Sequence, residues 1–99
     1  MTAVPGMSRT VELAPAAELE HARLAAEIPG FEEAYAELIA AIDAGPRRGR
    51  PMVGGRWARA LANRGRPRVR VVYTFNETGI RVRDIHATRA EYLPSATKD

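Results

Sequence analysis

Residues 68–92 constrain the fold more than any other part of this chain, because apolar and polar side chains alternate there around a tight turn. The segment reads RVRVVYTFNETGIRVRDIHATRAEY. A period of two is typical of a β-strand with one buried face, and residues 76–79 (NETG) end in a glycine that can adopt a positive φ. The pattern therefore predicts a β-hairpin. Its apolar side, predicted to face the core, comprises Val69, Val71, Tyr73, Phe75, Ile80 and Val82.

The opposite side of this hairpin is rich in arginine. Arg70, Arg81 and Arg83 are predicted to line it, and a sheet has no structural need for so many guanidinium groups, which favours an anionic partner. Strict pairing across the turn would put Asp84 and His86 on the apolar side. A β-bulge near Asp84 would re-aim the end of the strand, and bulges are common beside active sites. The sequence leaves open which way His86 points.

Charge is divided unevenly along the chain. Residues 10–45 carry eight acidic side chains against Arg23, a balance of −7, whereas residues 46–99 carry thirteen basic side chains against four acidic ones, a balance of +9. Such polarity favours an oriented anionic partner over uniform solubilisation. Arginines that only solvate the surface are the alternative explanation.

Composition excludes several classes of function. The 99 residues include no cysteine, which excludes disulfides and thiolate chemistry, and two isolated histidines predict neither a metal site nor a cofactor. No apolar run is long enough to span a membrane and no signal-peptide core is visible, so a cytoplasmic location is the default expectation. We expect a flexible leader over residues 1–8 (starting at Met1 or Met7), one domain over residues 9–92 and a tail over residues 93–99.

The rest of the chain predicts a helical hairpin and further strands. A first strand over residues 10–13 precedes helices at residues 16–27 and from Phe31 to Gly45, which are followed by a basic loop and a strand over residues 56–63. The predicted fold is α+β, with the order strand-helix-helix-strand-strand-strand. We expect a small antiparallel sheet that carries both helices on one face and leaves the other face open.

Several short motifs give the chain a recognisable pattern over residues 10–92. The predicted helical hairpin ends in Ala44-Gly45-Pro46, and the loop at residues 52–55 (MVGG) leads into Trp57-Ala58-Arg59. Residues 70–73 (RVVY) resemble the "YRVVY" strand of the RelE/ParE superfamily of bacterial toxins, with Val69 in place of the first tyrosine. Residues 85–92 (IHATRAEY) resemble its closing "I-x-H-R-R-x-x-Y" segment, with one residue more between His and Tyr. The chain as a whole therefore resembles that superfamily.

The resemblance implies a toxin of a type II toxin–antitoxin system, held by a cognate antitoxin. RelE-like members cleave mRNA in the ribosomal A site without a metal: the ribose 2′-hydroxyl attacks the adjacent phosphate. That reaction needs a base for the hydroxyl, cations for the developing charge and an acid for the leaving 5′-oxygen. The expected activity is therefore that of a ribosome-dependent endoribonuclease (an mRNA interferase) without a cofactor.

Matching positions imply individual roles. Arg59 and Arg70 match arginines on the second and third strands of the superfamily, which implies phosphate binding and stabilisation of transition-state charge. His86, Arg89 and Tyr92 match the closing segment, which implies proton transfer by the histidine and either stacking or proton transfer by the tyrosine. For His86 and Tyr92 the alternatives are a packed histidine bonded to the backbone and an aromatic ring covering the sheet edge. Nucleic-acid binding is further predicted for Arg56, Arg68, Arg81 and Arg83.

Two other functions remain open at this point. RelE-like cleaving members often carry lysines around the second strand, where this chain has only arginine, and arginine stays protonated and is a poor general base. ParE-like members inhibit DNA gyrase, which requires binding to a protein target and no His–Tyr constellation. A catalytically silent binding module of the same fold is the third possibility.

Overall fold

The computed structural model describes residues 8–90 and consists of a single sheet with both helices on one face. Alternating apolar residues form the strands, and the four-residue spacing of Phe31, Tyr35 and Ile39 forms the apolar stripe of the second helix. The strands are β1 (Thr10–Leu13), β2 (Arg50–Pro51), β3 (Trp57–Leu61), β4 (Arg68–Phe75) and β5 (Gly79–Thr88). The helices are α1 (Pro15–Glu27) and α2 (Phe31–Ala44), followed by a 3₁₀ turn (Pro46–Arg48).

The sheet is mixed, which corrects the expectation of an antiparallel one. Its strands lie in the order β1-β5-β4-β3-β2, and β1 runs parallel to β5 while the other pairs are antiparallel. The two helices between β1 and the other strands form the long connection that returns the chain to the same end of the sheet. Apart from this, the α+β class and the helical hairpin on one face are confirmed.

The short strand β2 is an addition to the predicted order. It consists of two exposed residues, Arg50 and Pro51, that pair with Ala58 and Trp57 at the edge of the sheet. A segment of two residues has no periodicity, and the predicted basic loop around it is rich in Gly and Pro. The strand therefore could not be recognised from local sequence.

One core lies between the helices and the sheet. Side chains from both helices meet the apolar side of β4 and β5, and Phe75 lies partly buried at the margin. All the predicted hairpin core residues except Phe75 are buried. The largest fully buried side chains are Tyr73, Phe31, Leu38, Ile42, Ile80, Val69, Val71 and Val82.

A β-bulge interrupts the β4–β5 ladder near Asp84. Tyr73 pairs with Val82, and the residue before it on β4, Val72, pairs with Asp84. Arg83, between Val82 and Asp84, is therefore an extra residue without a partner. The extra residue reverses the alternation: Ile85 is 2% exposed in the core, whereas Asp84 and His86 are exposed on the open face. The bulge suggested by the sequence is therefore present, and it turns His86 outward.

The predicted leader and tail lie outside the described residues, except for Ser8. No helix within residues 8–90 has both the length and the apolar composition needed to cross a membrane. Tyr92 also falls outside the described part of the chain.

Candidate nucleic-acid interface

The open face of the sheet carries a basic groove where β4 and β5 lie side by side. Arg70 pairs with His86 in the register, and Arg68 pairs with Thr88 in the next row. Directly opposite residues of an antiparallel pair have Cβ atoms about 5 Å apart, so Arg70 and His86 are close enough to act on one group. Together with Arg89 these side chains line a groove of about 460 Å³. We call it the basic groove.

Local sequence explains why these side chains point outward. On β4, Val69 and Val71 are buried while Arg68 and Arg70 are exposed, as strand alternation requires. On β5 the bulge at Arg83 gives the same alternation to the second half of the strand. The groove therefore depends on a regular strand opposite a bulged one.

The basic groove continues into a second concavity at the turn between β3 and β4. This concavity, of about 430 Å³, shares Arg68, Thr88 and Arg89 with the groove. In the turn, the Arg66 amide donates to the Asn63 carbonyl (3.1 Å), and Gly65 adopts a φ of 77° that an L-residue rarely takes. The turn residues that line the second concavity are Asn63, Arg64, Gly65 and Arg66.

Most cations of this surface have no ion-pair partner among the residues that the structure describes. Arg66 forms an ion pair with Glu37 on α2 (Nη1 to Oε2, 2.7 Å). Within residues 8–90, no carboxylate lies at ion-pair distance from Arg64, Arg68, Arg70 or Arg89. Four exposed guanidinium groups beside each other repel, and an anionic ligand would relieve that repulsion.

One acidic side chain lies within electrostatic reach of His86. The Glu20 carboxylate on α1 has a lowered pKa, chiefly because Arg23 donates a hydrogen bond to it (2.8 Å), with burial opposing the shift and the charges of Arg23 and then His86 adding to it. Glu20 is not among the residues lining the basic groove. The sequence reasoning missed this proximity because α1 and β5 are far apart in the chain.

Arg59, for which the resemblance implies phosphate binding, is not part of this surface. It lies on the helix-facing side of β3, where its Nη1 donates to the carbonyls of Ala41 (3.0 Å) and Gly45 (3.4 Å). Both carbonyls lie at the end of α2, and the Ala41 carbonyl also accepts from the Gly45 amide (3.1 Å), so the guanidinium is an additional donor there. The guanidinium therefore caps a helix from the side of the sheet opposite to the groove.

Arg56 and Arg81 also lie apart from the groove. Arg56 precedes β3, at the end of the strand away from the β3–β4 turn. Arg81 pairs in register with Thr74 on β4 and with Glu12 on β1, and it forms an ion pair with Glu12 (2.8 Å). Since Thr74 is four residues along β4 from Arg70, these arginines lie roughly 13 Å or more from the Arg70–His86 row.

Arg83 occupies the bulge itself and lies partly buried. Its Nε is buried and has no hydrogen-bond partner among residues 8–90. Of the predicted site residues, the structure thus brings together Arg68, Arg70, His86 and Arg89, with Arg83 on the neighbouring row. Arg64, Arg66 and Thr88 were missed; the arginine-glycine sequence of the turn was the available signal.

No group of three or more His, Asp or Glu side chains that could hold a metal ion is found within residues 8–90. No protein-family model, curated protein or solved structure matches this chain. Membership of the RelE/ParE superfamily therefore stays a prediction from the motifs at residues 70–73 and 85–92.

Proposed function

We propose that the protein is a cytoplasmic toxin of a type II toxin–antitoxin system that binds mRNA in the basic groove and cleaves it at the ribosome without a metal. The observation that supports this most strongly is the juxtaposition of Arg70 and His86 on the open face, among arginines without an ion-pair partner in the described chain. The motif resemblance at the same residues supplies the expected reaction. Phosphate binding would explain the positive charge of the groove, and RNA cleavage would explain the presence of His86 in it.

In this reaction the 2′-oxygen of the ribose forms a bond to the adjacent phosphorus while the bond to the 5′-oxygen breaks. The products are a 2′,3′-cyclic phosphate and a 5′-hydroxyl. Histidine can both accept and donate a proton near neutral pH, so His86 is assigned to proton transfer at one of these two oxygens. Arg70, directly opposite, is assigned to the charge that develops on the phosphorane oxygens. Tyr92, outside the described residues, is proposed as the second proton-transfer group.

The proposed partner is an antitoxin that covers the basic groove. A partly disordered acidic segment that folds on binding would neutralise Arg68, Arg70 and Arg89, which have no ion-pair partner among residues 8–90. Masking of the groove would then abolish toxicity by exclusion of RNA.

A catalytically silent nucleic-acid-binding module is the second candidate. Among the described residues that line the groove, His86 is the one of a type commonly used for general acid–base catalysis. If Tyr92 does not complete the site, the groove retains the capacity to bind phosphate but has a single group for a reaction that needs two.

The proposal is tested by brief induction of the chain from a tightly repressed promoter, followed by mapping of new RNA 5′ ends. We expect cuts within translated frames, and a loss of at least about 100-fold for His86→Gln and for Arg70→Gln, because general acid–base groups typically contribute 10²–10⁴-fold. Both side chains are exposed, so the variants should fold. Arg47→Gln removes the same charge outside the groove and should cut as wild type does.

Three other results would count against the proposal. Growth arrest with intact RNA and a DNA-damage response would indicate the gyrase-directed alternative. Healthy cells with intact RNA would indicate the silent binding module. Equal loss of cutting in Arg47→Gln would show that overall charge, and not the basic groove, is responsible.

A further inference from the structure

We infer that the turn between β3 and β4 forms a second phosphate subsite, at which Arg64 and Arg89 hold the phosphodiester next to the one that is cleaved. This inference rests on the proposed function and adds the direction in which the RNA leaves the Arg70–His86 row. It assigns a role to Arg64, which sequence reasoning treated only as part of a connection.

The concave surface is continuous from the Arg70–His86 row to the turn. The basic groove and the concavity at the turn share Arg68, Thr88 and Arg89, so one extended ligand can occupy both. Arg68 lies two residues from Arg70 on the same face of β4, a separation of about 6.7 Å along a strand. That separation is similar to the distance between successive phosphates of an extended single strand. Each row of the sheet in this direction can therefore meet one phosphate.

Fewer suitable groups lie in the opposite direction along β4 and β5. The next row beyond Arg70 consists of Ala58, Val72 and Asp84, with Arg50 at the edge of the sheet, two strands away from Val72. Val72 is 7% exposed and Ala58 6%, while the exposed Asp84 carboxylate would repel a phosphate. Further along, Arg81 is already paired with Glu12. An RNA strand that leaves the catalytic row toward this end would meet no free cation on β4 or β5 except the partly buried Arg83.

The arginines in and beside the turn differ in their ion pairing. Arg66 is held by Glu37, which fixes the turn against α2. Arg64 and Arg89 are exposed and have no ion-pair partner within the described chain. Gly65, at a φ of 77°, permits the sharp reversal that brings Arg64 to the same concavity as Arg89. A fixed turn with free guanidinium groups is suited to bind a phosphate with little reorganisation.

The test uses the full chain and labelled single-stranded oligodeoxynucleotides of increasing length, which lack the 2′-hydroxyl and cannot be cleaved by the proposed reaction. Affinity is measured by fluorescence anisotropy between about 50 and 200 mM salt. Loss of one phosphate contact should reduce the slope of log K against log salt by about 0.7 on a single strand. We expect this reduction for the double variant Arg64→Gln/Arg89→Gln, together with loss of the affinity gained from the added nucleotide.

Two control variants separate the subsite from overall charge. Arg47→Gln/Arg48→Gln changes net charge by the same amount in the 3₁₀ turn, where Arg47 lies 5.2 Å from the Phe75 ring, at the other end of β4 from Arg68. That variant should keep the wild-type slope. Arg64→Lys/Arg89→Lys retains both charges and should also keep it.

The outcomes distinguish this inference from the proposed function. A wild-type slope in Arg64→Gln/Arg89→Gln, while the wild-type chain cleaves RNA in cells, would overturn the second subsite and leave the proposed function standing. Equal slope reductions in both glutamine pairs would likewise overturn it, because they indicate diffuse charge. A wild-type chain that binds no oligonucleotide at all would overturn the subsite and the proposed groove together.

Discussion

The phenol oxygens of Tyr73 and Tyr35 are both buried, but they differ in their hydrogen bonding. Tyr73 donates to the Pro46 carbonyl at 2.6 Å, which ties β4 to the turn after α2. The Tyr35 hydroxyl has no partner among residues 8–90. A buried polar group that lacks a partner costs stability, whereas a satisfied one contributes modestly.

Replacement of the two tyrosines by phenylalanine should therefore affect the free energy of unfolding differently. Tyr73→Phe should lower the free energy of unfolding by about 1–2 kcal/mol, because it leaves the Pro46 carbonyl unpaired. Tyr35→Phe, the matched control, should leave it unchanged or raise it. Urea denaturation at pH 7 measures both, and equal destabilisation by the two variants would contradict the assigned hydrogen bonding.

The two buried tyrosines also predict how the stability of the fold changes at alkaline pH. Burial raises the pKa of Tyr35 to about 12 and also raises the pKa of Tyr73, so folding favours both neutral phenols. Their stabilising contribution is complete below the unfolded value of about 10 and is lost as pH rises through the folded values. The wild-type chain should lose stability above about pH 10 more steeply than either phenylalanine variant.

At the level of the element, the β-bulge in β5 places the proposed catalytic histidine. Because Arg83 is the extra residue, Val82 faces the core and Asp84 faces outward with no buried residue between them. A one-residue change of register moves every following side chain to the other face. The orientation of His86 is therefore a property of the whole second half of β5.

Deletion of Arg83 should leave His86 on the open face, since Val82, Asp84, Ile85 and His86 would then alternate regularly. It also removes the buried, unpaired Nε, so the free energy of unfolding should stay within about 1 kcal/mol of wild type. Deletion of Ile85, also a single residue of β5, would turn His86 toward the core and should cost at least about 3 kcal/mol. Urea denaturation measures the stability of both deletion variants, and an NMR contact between the backbones of residues 70 and 86 reports the register. Equal loss of stability in both deletions would refute the assigned bulge.

For the whole molecule, a cluster at Asp43 joins the first strand to the end of α2. The carboxylate accepts bonds from the Ser8 amide (2.9 Å) and hydroxyl (3.1 Å) and from the Arg9 amide (3.1 Å). Burial acts to raise the pKa of Asp43, but the hydrogen bonds from Ser8 and Arg9 and the charge of Arg9 outweigh it, and the pKa is lowered. The cluster thus fixes the beginning of β1, whose pairing partner β5 lies more than sixty residues away.

Acid should therefore weaken the fold through Asp43. A folded pKa below the unfolded value gives stabilisation that is present above the unfolded pKa of about 3.9 and is lost as pH falls through the folded pKa. Asp43→Asn should lower the free energy of unfolding by about 1 kcal/mol at pH 7, and this difference should shrink below about pH 4. A pH series of denaturation curves measures this, with Glu77→Gln, at an exposed turn residue outside the cluster, as the matched control; a difference for Asp43→Asn that persists below about pH 4 would contradict the assignment.

Local sequence accounts for most elements. The strand at residues 10–13, both helices, the hairpin and its turn follow from periodicity and from Gly and Pro signals, and the structure confirms them within a few residues. The exposure of Arg70 follows from alternation alone. Even the bulge near Asp84 was detectable, because strict pairing would have buried a carboxylate and a histidine.

Contacts between distant segments decide the remainder. The parallel pairing of β1 with β5 depends on how α1 and α2 return the chain, and no local pattern encodes it. Arg59 and Arg70 are both arginines on strands, yet Arg59 caps α2 while Arg70 faces the groove, because burial beside helix carbonyls depends on which face carries the helices. Arg64 lines the second concavity because the β3–β4 turn folds beside the end of β5. Periodicity along one strand determines which side chains share a face; the packing of separate elements determines what each face meets.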